Sequence, residues 1–244
     1  MGHPIKEKAK HLSAVLAFEQ PRLTVSLTES GLLVMGVFDL KPRKPELSHL
    51  GKLDEFSIIL ELPKNFPKGE PKLFETAGRI PQVSSRHINP DGSCCFGIWE
   101  AWSALADPVT FQKFLDGPVQ DFFFGQHYYE QHNRWPYGEY EHGKDGLLQS
   151  YAKVLGCKPK AETIRYRLRL FSNAWPKGHW KCVCGSGHRI RECCNELHTE
   201  PPVSAKSAQA MKRRFDCYFG MKSSRTTTST TNPSGSGIIT SIKP

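Results

Sequence analysis

The sequence predicts an α+β fold. Strand-like runs separated by turn residues gather between residues 22 and 76, and helical text follows from residue 108, so the helices collect after a sheet. The 244 residues, 38% hydrophobic and 23% charged, suffice for one core of ordinary domain size and a small further module.

A short amphipathic opening over residues 5–18 places apolar side chains at Leu12, Val15, Leu16 and Phe18. Next, R-L-T-V-S-L-T-E-S-G-L-L-V-M-G-V-F-D-L gives two strands joined at Glu29-Ser30-Gly31, a hairpin. Residues 55–63 read as a third strand, β-branched in its middle and closed by Pro63. Pro67 and Pro71 then forbid helix, and residues 72–76 make a short fourth strand of an antiparallel meander. Residues 79–101 are irregular text, dense in turn formers, whose aromatics and paired cysteines argue for order. Pro108, after Asp107, suits the first position of a helix running through Phe111, Phe114, Leu115, Val119 and Phe122, and a second helix fits residues 146–155. Residues 158–178 read as a connector with strand character at 163–171, and residues 204–219 as a basic helix. The Ser/Thr-rich end cannot fold alone.

Charge and cysteine are unevenly placed. Residues 1–156 hold 17 Lys and Arg against 19 Asp and Glu, whereas residues 157–244 hold 16 against 5. The basic C-terminal third favours an acidic partner, a protein face before a nucleic acid. Six of the eight cysteines fall into two tight clusters, a pattern that suits reactive thiol and metal binding better than a disulfide framework. Neither a membrane span nor a secretory leader is legible, so the expected location is the cytoplasm.

The chemistry concentrates in Arg86-His87-Ile88-Asn89-Pro90-Asp91-Gly92-Ser93-Cys94-Cys95-Phe96-Gly97. A thiol is a few per cent ionised at neutral pH and intrinsically nucleophilic, so it can take an acyl group from another thioester without a strong base. When an amine later attacks that thioester, a nearby amide N–H can stabilise the charge that develops on oxygen. Cys94 and Cys95 are the thiols of this stretch, and Asn89 is its side-chain amide. Free cysteine is also among the most buried residue types, and Cys94 is read as structural.

Ubiquitin-conjugating enzymes share the order of strands, F-P-x-x-x-P, His-Pro-Asn and Gly-x-x-Cys. This chain resembles them through Phe66-Pro67 to Pro71, through His87-x-Asn89, and through Gly92-Ser93-Cys94-Cys95. The resemblance makes Cys95, three positions after Gly92, the thioester cysteine. It makes Asn89 the oxyanion donor or loop brace and His87 a hydrogen-bonder that shapes the turn. Ile88 replaces the central proline, the stretch from Asn89 to Gly92 is short, and the text after Cys95 is contracted; Trp102-Ser103-Ala104 matches the start of the family's following helix. Gln131-x-x-Arg134-Trp135-Pro136-x-Gly138-Glu139-x-x-His142-Gly143-x-x-Gly146 is similar to the conjugating-enzyme-like proteins of short type II CBASS antiphage operons. That resemblance implies transfer of a protein C-terminus, that of a cGAS/DncV-like nucleotidyltransferase, to a target amine in antiviral defence. His142 reads as loop-shaping, and Trp99, Trp102 and Trp135 as packing.

Cys182, Cys184, Cys193 and Cys194 place four soft ligands on a tight knuckle, which suits a closed, structural zinc site. The cluster resembles the SEC-C motif, with Gly185-Ser186-Gly187 as its turn and His198 as a reserve ligand. The expected organisation is a UBC-like catalytic domain at 5–157, the connector at 158–178, the zinc module with its basic helix at 179–222 and a low-complexity tail at 223–244. Two other readings remain: an inactive adaptor of the same fold whose zinc module binds protein or nucleic acid, and a cysteine hydrolase, which needs a base paired to the thiol.

Overall fold

A computed structural model of the chain describes residues 3–42, 51–136, 143–172, 177–182, 186–193 and 202–219. Strands β1 (Leu23–Leu27), β2 (Gly31–Leu40), β3 (Asp54–Pro63) and β4 (Lys72–Glu75) form an open antiparallel sheet in the order β1-β2-β3-β4. The register sets Leu32 opposite Leu62, Val34 opposite Leu60 and Phe38 opposite Phe56. Because successive side chains alternate between faces, this pairing gathers Val34, Phe38, Phe56, Ile58, Leu60 and Leu73 on one buried side.

Helix α1 (His3–Glu19) contributes Leu12 and Leu16 to that core. Val15 packs at its margin, but Phe18, expected on the same apolar stripe, is 85% exposed. The i, i+4 pair Leu12 and Leu16 defines the buried stripe, and Phe18 falls two residues past it, on another side of the helix. Helix α2 spans Trp99–Leu105 and so begins inside the stretch that reads as irregular. Its start at Ile98 has no side-chain cap, so local signals are weak; the burial of Trp99, Ala101 and Ala104 supplies the stability instead.

The following helix begins at Phe111, not at Pro108. Thr110 caps α3 (Phe111–Phe114), its Oγ1 accepting a hydrogen bond from the Lys113 amide at 3.2 Å. A π turn over Leu115–Val119 leads into α4 (Gln120–His132), whose Phe123 ring lies 4.5 Å from Phe56 and 5.4 Å from Phe38. Helix α4 thereby roofs the sheet.

A second core joins α2 to α5 (Gly143–Leu155), α6 (Ala161–Ser172) and α7 (Ala205–Tyr218). The connector's expected strand is this helix α6. Apolar residues at 164, 166, 168 and 170 mimic strand alternation, yet Tyr166 is 38% exposed while Ile164, Leu168 and Phe171 are buried at helical spacing. Arg167 donates from Nη1 to the Leu155 carbonyl at 2.6 Å, satisfying the end of α5. Basic helix α7 starts where expected, capped by Ser204, and buries Ala208, Met211 and Phe215 in this second core. Among the described residues no helix is long and apolar enough to cross a membrane.

Candidate functional site

After β4 the chain makes a 3-10 turn (Ser84–Arg86) and then a narrow hairpin. His87 takes a left-handed conformation at φ 52°, and Ile88 bridges to Cys94. The Cys95 amide donates to the His87 carbonyl at 2.7 Å and the Asn89 amide to the Ser93 carbonyl at 2.8 Å. Gly92, at φ 82°, closes the turn in a backbone region that side chains disfavour. The Cys94 amide donates to the Leu73 carbonyl at 2.7 Å, which ties the hairpin to β4. The Ile88 amide donates to the Val83 carbonyl at 3.4 Å, a bond that proline at this position could not make.

Alternation along the hairpin separates the two cysteines. Ile88 and Cys94 point into the first core, so His87, Asn89, Ser93 and Cys95 share the other face. Burial pushes the Cys94 thiol up to about 12, which keeps it protonated at neutral pH. Cys95 is half-buried and lines a cleft of about 500 Å³. Asn89 is exposed and is not part of that lining; its Nδ2 donates to Ser93 Oγ at 3.0 Å. Ser93 Oγ in turn donates to Asp91 at 2.6 Å, and Asp91 pairs with Lys72 at 2.8 Å. The Lys72 ammonium, with help from Ser93, holds the Asp91 carboxyl well below the usual range. The amide therefore braces the turn with one of its two protons.

His87 sits against Trp135, ring centroids 4.5 Å apart. Trp135 also packs on Tyr129 and over Gly125, where an added Cβ would stand 3.1 Å from the indole. Trp99 and Trp102 lie tilted 5.2 Å apart with Phe114 edge-on to both, and Trp102 and Trp135 also line the cleft. The cleft is walled by the Cys95 loop, α2, α4 and α5. Ala101, Pro118, Phe122, Gly125, Gly146 and Val154 are its buried apolar members, and Asp121, Ser150 and Lys153 add polar groups. None of these was legible as a site residue. The α5 signal is the series Gly146, Ser150 and Lys153, which falls on one helix face.

The C-terminal knuckle is described in part. Lys181 bridges Arg189, the Cys182 amide donates to the His188 carbonyl at 2.7 Å, and a 3-10 turn (Ile190–Glu192) leads to Cys193. Cys182 is buried and Cys193 exposed, with Ser186 Oγ 3.3 Å from the Cys193 sulfur. Cys182 and Cys193 are the two expected ligands that lie among the described residues, where no group of three or more His, Cys, Asp or Glu side chains is placed to hold a metal ion. Cys184, Cys194 and His198 lie outside the described residues, as do His142 and the 223–244 tail. Comparison of the chain with protein-family models, with curated proteins and with solved structures found no match.

Proposed function

We propose that the chain is a ubiquitin-conjugating-like transferase on a UBC-like fold, carrying a protein C-terminus as a thioester on Cys95 and passing it to an amine. The observation that carries this reading is that Cys95, and not Cys94, lines the cleft beside the hairpin. The Cys95 thiol loses its proton as Sγ attacks the donor thioester; the new C–S bond forms, the donor C–S bond breaks, and the departing thiolate takes up a proton. The acceptor amine then attacks the same carbonyl, with the second Asn89 N–H as oxyanion donor; the C–N bond forms, the C–S bond to Cys95 breaks, and the proton lost by the amine returns to the departing Cys95 thiolate. The sequence resemblance supports a cGAS/DncV-like nucleotidyltransferase as the carried protein. It also supports a structural zinc held by Cys182, Cys184, Cys193 and Cys194, a basic module that docks on an acidic protein surface, and a cytoplasmic setting.

One observation favours the inactive adaptor instead: the exposed Asn89 already spends an amide proton on Ser93 and stands outside the cleft lining. Incubation with a cognate nucleotidyltransferase and cell extract, followed by non-reducing electrophoresis and intact mass, decides between the two. The transferase reading expects a dithiothreitol-sensitive adduct that Cys95→Ala abolishes and Cys94→Ala retains. Absence of any adduct supports the adaptor.

A further inference from the structure

We infer that the cleft reads the side chain of the donor's C-terminal residue and takes a bulky apolar one, not glycine. This rests on Cys95 as the acyl carrier. In an acyl-Cys95 adduct the donor's last α-carbon is bonded to the carbonyl carbon on Sγ, so that residue's side chain begins three bonds from the sulfur. It is the first donor group that can enter the space Cys95 lines. That space holds about 500 Å³, enough for a whole large side chain, and its buried lining is Ala101, Pro118, Phe122, Gly125, Gly146 and Val154, with the exposed Leu105 also part of it. A C-terminal glycine would leave this apolar lining unfilled. Gly146 sets the depth: it is the buried residue at which α5 presents no side chain to the cleft, one turn before the half-buried Ser150. The acylation step balances as written above, one C–S bond formed and one broken, with no change of oxidation state.

Even one methylene in an apolar pocket changes discrimination by about 10- to 200-fold, so leucine against glycine should exceed the lower figure. The full chain is incubated with N-acetyl tripeptide thioesters of 2-mercaptoethanesulfonate ending in Leu, Phe or Gly. Acylation of Cys95 is followed by intact mass, with Cys95→Ala as the blank. Each rate is divided by that of the same thioester with N-acetylcysteine, which removes the intrinsic reactivity of the ester. The expected result is a normalised Leu rate at least about tenfold above Gly. Gly146→Leu and Ser150→Phe, each checked for folding by a thermal melt, should bring that ratio toward one; if Gly146→Leu does not fold, the half-buried Ser150 position carries the comparison. Equal rates, a faster Gly ester, or a ratio that the folded filling variants leave unchanged overturns the inference while Cys95 stands as the carrier. No acylation of Cys95 by any ester overturns both.

Discussion

Two adjacent cysteines differ here by one step of strand alternation, and their chemistry diverges accordingly. Cys94 is 3% exposed and its thiol is pushed up to about 12 by burial, whereas Cys95 stands half-buried at the cleft. The thiolate is the reactive form, so a raised value leaves Cys94 protonated between pH 7 and 9. In the native protein iodoacetamide should label Cys95 and spare Cys94 across that window, and both should react once urea unfolds the chain; peptide mapping by mass spectrometry reads the difference. Asn89 makes a second residue-scale case. Its replacement by alanine removes the Ser93 brace and, on the proposed function, the oxyanion donor as well, and should slow discharge of the thioester about 10²- to 10³-fold in single-turnover measurements. Ser93→Ala removes only the brace, so a discharge rate close to wild type there assigns the larger effect to the amide.

At the scale of elements, α4 is fastened to the sheet and to the loop after β4 by charge as well as by rings. Arg79 donates to Asp54 and to Glu130, each at 2.6 Å from Nη2, and His127 Nδ1 lies 2.8 Å from Asp54. Burial opposes ionisation of Asp54, but the hydrogen bonds from Arg79 and His127 outweigh it and hold the carboxyl well below the usual range. A depressed carboxylate contributes stability that is complete above its unfolded value of about 3.9 and is lost as pH falls below it. Asp54→Ala should therefore cost about 1 to 3 kcal/mol at pH 7 by urea unfolding, and less at pH 3. Thr110→Ala, which deletes the cap of α3, should cost about 1 kcal/mol in the same assay. The cap also shows why residue 108 misleads as a helix start: Asp107-Pro108 suits that position in sequence, but it is the Thr110 hydroxyl that accepts from a first-turn amide, that of Lys113.

For the whole molecule, two cores meet at α2, which gives Trp99 to the sheet side and Ala101 and Ala104 to the helical side. The wall of the cleft formed by α5 depends on the second core, because Leu147, Tyr151 and Leu155 pack with α6 and α7 while the same helix turns Ser150 and Lys153 toward Cys95. Tyr151 donates to the Met211 carbonyl at 3.2 Å, and Arg214 of α7 reaches Glu70 at 3.0 Å and Glu100 at 3.7 Å. The basic helix is thus built into the fold beside the site. Phe215→Ala should destabilise the protein by about 3 to 5 kcal/mol in urea unfolding and lower the acylation rate of Cys95, although Phe215 is not part of the cleft lining.

What the sequence by itself determined is what depends on near neighbours: the four strands and their meander, the Glu29-Ser30-Gly31 turn, and helices α5 and α7. Each rests on turn chemistry or periodicity within about a dozen residues. Tertiary structure alone decided the rest. It made 161–172 a helix despite its alternation, left Phe18 in solvent, formed α2 without a cap, and set Gly146, Ser150 and Lys153 across from Cys95. Those outcomes come from burial against partners distant in sequence, and the free energy of such burial does not depend on how far apart along the chain the partners lie.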